Sequence, residues 1–121
     1  MSKPKAPKKG CAGLNRIFTY YRRNCYRNNK YWGLSLEEVE KLVKSDCAYC
    51  GKPPANCIKE YDFYYSGIDR KDSKRGYHPK NVVPCCWECN RMKSDHLSHD
   101  EMVAAMKEVL RLRAARRVRV P

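Results

Sequence analysis

The sequence predicts a small α+β domain in which helices flank a β-hairpin and a metal ion holds these parts together. Two Cys-x-x-Cys pairs, Cys47/Cys50 and Cys86/Cys89, are separated by 35 residues. Apolar residues recur at helical spacing before and after these pairs, whereas the stretch between them is aromatic-rich and alternating, as in a strand. At 121 residues we expect one domain with a modest apolar core, which a bound metal would reinforce.

The charge of the chain indicates a polyanionic partner. The formal net charge is +13, from 26 Lys+Arg against 13 Asp+Glu, which favours nucleic acid, an acidic membrane surface or an acidic protein. No apolar run approaches the ~20 residues that span a bilayer, and the first nine residues lack the apolar stretch of a secretory signal. We therefore expect a cytoplasmic protein, in a reducing compartment where cysteines bind metal rather than form disulfides.

The amino-terminal part is basic. Residues 1–12 are rich in Lys, Pro and Gly and predict a disordered arm. Residues 13–46 predict a basic helical segment, because apolar side chains recur from Leu14 to Cys25 with arginines between them. No acidic residue precedes Glu37, which favours a helix face that contacts phosphates; simple solubility is the alternative. Ser35 and Glu38 form a capping box that is expected to begin a second, short helix.

The central part, residues 47–97, is the predicted metal-bound core. Residues 57–69 predict one strand, residues 71–80 a loop, and residues 81–84 (NVVP) a short returning strand. A helix is expected over Cys86–Lys93. Residues 98–121 predict a last helix, which a second capping box at Ser98 begins and an arginine-rich tail ends.

The four paired cysteines are the predicted zinc ligands. Cys85 competes with Cys86, but only Cys86 keeps the two-residue spacing to Cys89 that lets both sulfurs meet one ion. Four sulfur ligands leave no open position for water, so this zinc is expected to be structural. The spacing of the other cysteines predicts no further pair, and Cys25 is interpreted as a core residue of its helix.

The segment that begins at Gly67, GIDRKDSKRGYHPKNVVPCCWECNRMKS, resembles the HNH, or ββα-metal, endonucleases. Within that family it is similar to an Arg-bearing branch found in phage and bacterial proteins, which includes the Pac-type restriction enzymes. The similarity extends over roughly residues 47–103. It implies a ββα-metal fold and metal-dependent hydrolysis of double-stranded DNA, by a monomer or a homodimer. A phage-encoded protein of this kind would act in the host cell cytoplasm.

The resemblance also implies roles for single residues. Asp69 and Asn90 would supply oxygen ligands to a catalytic Mg²⁺ or Mn²⁺. Asn81 would orient the loop without touching the metal, although an Asn that only shapes a turn is an equal alternative. His96 and His99 lie after the matching segment and are interpreted as polar residues at a helix entry.

Arg70 stands where the family usually has the histidine that deprotonates water. A guanidinium stays protonated near neutrality, so Arg70 is better suited to gripping a phosphate oxygen. Some other group must activate the water, or the metal-bound water must suffice. The candidate bases are Tyr49 in the first Cys-x-x-Cys pair, His78 in the loop, and Tyr64 or Tyr65 on the strand; we favour Tyr49 because the pair holds it rigidly. The alternative function is a catalytically inactive, zinc-stapled module that binds nucleic acid.

Overall fold

The computed structural model describes residues 9–119, with side chains described for residues 12–117. Its helices and strands, in chain order, are α1 (Lys9–Arg27), α2 (Leu36–Val43), β1 (Asn56–Ile58), β2 (Phe63–Tyr65), β3 (Gly67–Arg70), β4 (Val82–Cys85), α3 (Trp87–Lys93) and α4 (His99–Arg119). Helix α1 thus begins inside the range 1–12 in which a basic arm was expected, and the remainder of that arm lies outside the described residues. The predicted α+β class is confirmed.

The centre of the fold is a hairpin followed by a helix. Strands β3 and β4 pair antiparallel, with Asp69 opposite Val83 and Arg70 opposite Val82. Helix α3 starts two residues after β4, with Cys86 as its N-cap. This ββα unit places the end of β3 beside one face of α3. A second, separate hairpin is formed by β1 and β2.

The prediction of a single strand over residues 57–69 is wrong, because the chain turns within that range. A 3-10 turn spans Lys59–Tyr61, and Asp62 follows in the left-handed region at φ 50°, a conformation that Asp tolerates better than most residues. Beyond β2, the Ser66 amide donates to the Val43 carbonyl and its hydroxyl to the Ser45 carbonyl, at 2.7 and 2.6 Å. These bonds to the end of α2 divide the stretch into β1, β2 and β3.

Both predicted capping boxes are confirmed. The Glu38 amide donates to Ser35 Oγ at 3.1 Å while the Ser35 amide donates to the Glu38 carboxylate at 2.9 Å. At the second box, the Glu101 amide donates to Ser98 Oγ at 3.1 Å and the Ser98 amide donates to the Glu101 carboxylate at 2.8 Å. The two helices therefore start where local sequence chemistry places them.

Two apolar clusters support the central unit. One joins α1 and α2 to the strands and consists of Leu14, Ile17, Leu34, Val39, Val43, Phe63, Ile68 and Val82. The other joins the start of α4 to the cysteine pairs and consists of Cys47, Tyr49, Cys85, Cys86, Cys89, Met102 and Met106. The basic helix α1 is thus part of the main core. Within residues 9–119, no helix combines the length and apolarity that crossing a membrane requires.

Tyr21 ties α1 to the hairpin directly before Asp69. Its hydroxyl accepts a hydrogen bond from the Ile68 amide at 3.1 Å, and burial raises its pKa. In Tyr21→Phe this amide loses its acceptor, and we expect the free energy of unfolding to fall by about 1–3 kcal/mol in denaturant titrations. The exposed Tyr26 provides the matched control, since Tyr26→Phe is expected to change stability by less than about 0.5 kcal/mol. Equal stability of the two variants would contradict this role of Tyr21.

Candidate active site

The four paired cysteines converge on one point between the hairpin and α3. The sulfur atoms of Cys47, Cys50, Cys86 and Cys89 all lie within 4.8 Å of one another. The Cys50 and Cys86 sulfurs are 3.7 Å apart, close to the ~3.8 Å edge of a tetrahedron with ~2.3 Å zinc–sulfur bonds. The cluster could hold a metal ion, and its all-thiol donor set fits zinc.

Backbone amides stabilise the thiolate form of one sulfur in this cluster, that of Cys47. Burial alone would raise the pKa of the Cys47 thiol, but hydrogen bonds from the backbone of Cys86, Cys50 and Tyr49 lower it to about 7. Burial raises the pKa of the Cys50 and Cys89 thiols. A bound divalent cation offsets that effect, since it stabilises the thiolate form directly.

The other described cysteines lie outside the cluster. Cys85 is buried, but its sulfur donates to the Cys86 carbonyl at 3.3 Å, so the geometry selects Cys86 over Cys85. Cys25 is buried in α1 and donates to the Lys30 carbonyl at 2.9 Å, which fits its interpretation as a core residue. Cys57 is exposed.

Asp69, at the end of β3, is held by two buried partners. The Tyr49 hydroxyl donates to Asp69 Oδ2 at 2.7 Å, and Lys93 Nζ lies 3.4 Å from the same oxygen. Asp69 as a residue is only 7% exposed. Among the described residues both contacts fall on Oδ2, which leaves Oδ1 for a ligand in the adjoining cleft.

Lys93 has no role among the expectations above, although it lies within the segment that resembles HNH nucleases. It is 1% exposed, and its ammonium also donates to the Arg70 carbonyl at 3.0 Å. A cation so deeply buried needs a counter-charge, which Asp69 supplies. A lysine one turn after the second Cys-x-x-Cys pair, on the face toward the hairpin, was the available signal.

Replacing Lys93 is expected to cost stability. In Lys93→Met the buried Asp69 carboxylate loses its cation, and we expect the free energy of unfolding to fall by about 3–5 kcal/mol. The measurement is chemical denaturation of the zinc-loaded protein. Lys41→Met, at an exposed position of α2, should change stability by less than about 0.5 kcal/mol. A loss below about 1 kcal/mol in Lys93→Met would show that the pair contributes little.

Tyr49 and His99 extend the contacts of Asp69 toward α4. The Tyr49 hydroxyl also meets His99 Nδ1 at 3.0 Å. Because the single phenolic hydrogen goes to Asp69, the His99 nitrogen is the donor in this second bond. Burial, followed by the hydrogen bond to Asp69, raises the pKa of Tyr49. The geometry thus favours a neutral Tyr49 that orients Asp69. His99 is the first residue of α4, and its contact with Tyr49 was not expected from the sequence.

Asn90 lies on the exposed side of α3, facing the same cleft as Asp69. This Asp69–Asn90 cleft has a volume of about 510 Å³ and is predominantly polar. Its lining also includes Arg70 and Arg91, and Lys93 at its base. The structure therefore brings a carboxylate and a carboxamide, 21 positions apart in sequence, to one polar cleft with two guanidinium groups.

Arg70 and Asn81 organise the loop beside this cleft. Arg70 Nη1 donates to the carbonyls of Ser73 and Arg75 at 2.8 and 3.0 Å. Asn81 is buried and donates through Nδ2 to the carbonyls of Asp72 and Gly76, while its Oδ1 accepts from the Asp72 amide at 3.0 Å. Asn81 thus spans the loop from inside, and its amide group is fully used there.

The remaining candidate bases lie elsewhere. The His78 ring stacks on Tyr31 with centroids 4.5 Å apart, and His78 is not among the described residues that line the Asp69–Asn90 cleft. Tyr64 is 56% exposed on β2. Tyr65 lines an adjacent groove that also contains Asn90. Of the four candidates, Tyr49 is the one whose contact with Asp69 the structure records.

Comparison with known proteins shows which solved fold this chain shares. No family model matches the chain. A 79-residue stretch, 65% of the chain, is 29% identical to the uncharacterised protein R423 of Acanthamoeba polyphaga mimivirus, and it spans only 14% of that relative's length. The structure of the rare-cutting HNH restriction endonuclease PacI superposes with a TM-score of 0.68 at 22% identity, over 96% of this chain and 87% of PacI. The chain therefore shares the fold of that HNH restriction endonuclease, and its four-cysteine cluster could hold a metal ion.

Proposed function

We propose that this protein is a metal-dependent DNA endonuclease of the HNH type. The supporting observation is the position of Asp69 and Asn90 on one polar cleft, beside a four-thiol cluster that would hold a structural Zn²⁺. Two oxygen donors with room for water and phosphate suit a hard cation such as Mg²⁺ or Mn²⁺. Held by Asp69 and Asn90, such a cation would supply positive charge to the scissile phosphate and the leaving oxygen.

The side chains of this protein have separate tasks in that reaction. Tyr49 and Lys93 hold Asp69 Oδ2, so the carboxylate presents its other oxygen in a fixed direction. Arg91, exposed on α3, and Arg70 line the cleft, where each would bind a phosphate oxygen. Asn81 keeps the loop closed by donating to the carbonyls of Asp72 and Gly76. The same loop carries the carbonyl groups to which Arg70 donates. Of the candidate bases, Tyr49 would first have to lose the proton that it donates to Asp69.

The substrate proposed is double-stranded DNA. The net charge of +13 favours a phosphate backbone, and α1 presents the exposed side chains of Arg22, Arg23 and Arg27. Helix α4 adds further exposed arginines toward its end. One cleft of this kind cuts one strand, so a monomer would release nicked circles first, whereas a homodimer could cut both strands in one encounter.

The alternative is a zinc-stapled module that binds nucleic acid without cutting it. Arg70 favours this alternative, because it occupies the position of the usual histidine. Its Nη1 donates hydrogen bonds to the carbonyls of the loop. Supercoiled plasmid with Mg²⁺, with Mn²⁺ or with neither separates the two functions. The metal-free arm uses dialysed buffer, because a chelator would also remove zinc. Nicking that requires the added cation is expected; an intact plasmid in every arm, with DNA bound, would establish the alternative.

A further inference from the structure

A second groove adjoins the Asp69–Asn90 cleft. It has a volume of about 460 Å³, within the range of about 300–1,000 Å³ that is usual for small-molecule sites. We name it the aromatic groove, after Tyr20, Tyr65 and Trp87 in its lining. The two depressions share the lining residues Tyr20, Tyr21, Ile68 and Asn90. A ligand in the aromatic groove would therefore be continuous with one held at Asp69 and Asn90.

Two aromatic rings of this groove are open to solvent. Tyr20 on α1 and Trp87 on α3 are each 58% exposed, although such large side chains are usually covered. The indole of Trp87 has the Arg91 guanidinium 4.6 Å from its ring centroid, and Arg91 itself lines the Asp69–Asn90 cleft. The Arg91–Trp87 contact thus joins the aromatic groove to the Asp69–Asn90 cleft.

Polar groups accompany the rings. Arg16 and Asn56 line the aromatic groove on the side of α1 and β1. Arg16 is paired with Glu60 at 2.8 Å, but its side chain remains 56% exposed. Exposed aromatic rings beside guanidinium and amide groups suit a flat, polar-edged ring on an anionic chain, which describes a nucleobase.

We propose that the aromatic groove binds one unstacked nucleobase of the DNA strand whose phosphate lies in the Asp69–Asn90 cleft. This inference rests on the function proposed above and deepens it. A base inside a duplex is covered by its neighbours on both faces and must leave the stack to enter the groove. The enzyme would therefore favour sites where a base is unpaired or easily extruded.

The experiment compares three DNA duplexes of one sequence, binding the zinc-loaded full chain without Mg²⁺ or Mn²⁺. One duplex is fully paired, one carries a single bulged thymidine, and one carries an abasic nucleotide at the bulge. Fluorescence anisotropy gives the three dissociation constants. We expect the bulged thymidine to be bound about 5- to 100-fold more tightly than the abasic bulge, as base stacking on aromatic rings implies.

Variants of Trp87 assign that preference to the groove. Trp87→Ala is expected to abolish the preference for the thymidine bulge over the abasic one, and Trp87→Phe to retain most of it because an aromatic ring remains. Arg23 lies on the exposed face of α1 outside the aromatic groove. Arg23→Ala should therefore raise the dissociation constants of all three duplexes by the same factor. Zinc content and circular dichroism verify that each variant is folded. We expect the Trp87 variants to fold because Trp87 is exposed.

The outcomes separate this inference from the proposed function. Equal affinity for the two bulged duplexes, or a preference that survives Trp87→Ala, would overturn the base-binding groove. Because no catalytic cation is present, the result does not depend on cleavage. Base preference without metal-dependent plasmid nicking would overturn only the endonuclease function, and nicking without base preference only the groove.

Discussion

Cys89→Ser is expected to unfold the core of this protein. The substitution removes one of four sulfurs that lie within 4.8 Å of one another, and with it most of the metal affinity. Structural zinc contributes on the order of 10 kcal/mol to small domains, as much as the whole stability of a typical fold, about 5–15 kcal/mol. Circular dichroism should show loss of the helical signal, and elemental analysis less than one zinc per chain.

Cys57→Ser is the matched control, because Cys57 is exposed and lies outside the cluster. Its stability should change by less than about 0.5 kcal/mol, with zinc still bound. A folded, metal-free Cys89→Ser protein would contradict a structural metal and leave the apolar clusters as the sole support of the ββα unit.

Asn90→Ala is expected to lower the rate of metal-dependent nicking by at least about 100-fold, since it removes one of two proposed oxygen ligands of the catalytic cation. Asn90 is exposed on α3, so little packing is lost and the midpoint of unfolding should not change. The nicking rate is measured at saturating Mg²⁺ and again over a Mg²⁺ titration, because weaker binding of the cation is partly restored by a higher concentration.

Asn15→Ala, at an exposed position of α1 outside the cleft, should nick at the parent rate. A parent-like rate in Asn90→Ala would remove Asn90 from the site. Asp69 variants are harder to interpret, because Lys93 is buried against Asp69 and loses its counter-charge when the carboxylate is replaced. Loss of activity in Asp69→Asn therefore counts only where zinc content and unfolding midpoint match those of Asn90→Ala.

Much of the architecture was accessible from local sequence. The capping boxes at Ser35 and Ser98 depend on residues three positions apart, and the structure contains both. The convergence of the cysteine pairs followed from ligand spacing. The strand expected over residues 57–69 failed because alternation of side chains does not report where the backbone turns. There the turn at Asp62 and the bonds of Ser66 to α2 decided the outcome.

The sequence by itself determined the starts of α2 and α4, the four-cysteine cluster and the resemblance that singled out Asp69 and Asn90, since each rests on short-range spacing or on a recognisable segment. Tertiary structure alone decided how the Asp69 carboxylate and its neighbours are held. Tyr21 reaches Ile68 across 47 positions, Lys93 lies 24 positions after Asp69, and His99 meets Tyr49 across 50. Such contacts have no local signature, because they arise only when hairpin, cysteine cluster and helices pack together and buried polar groups must find partners.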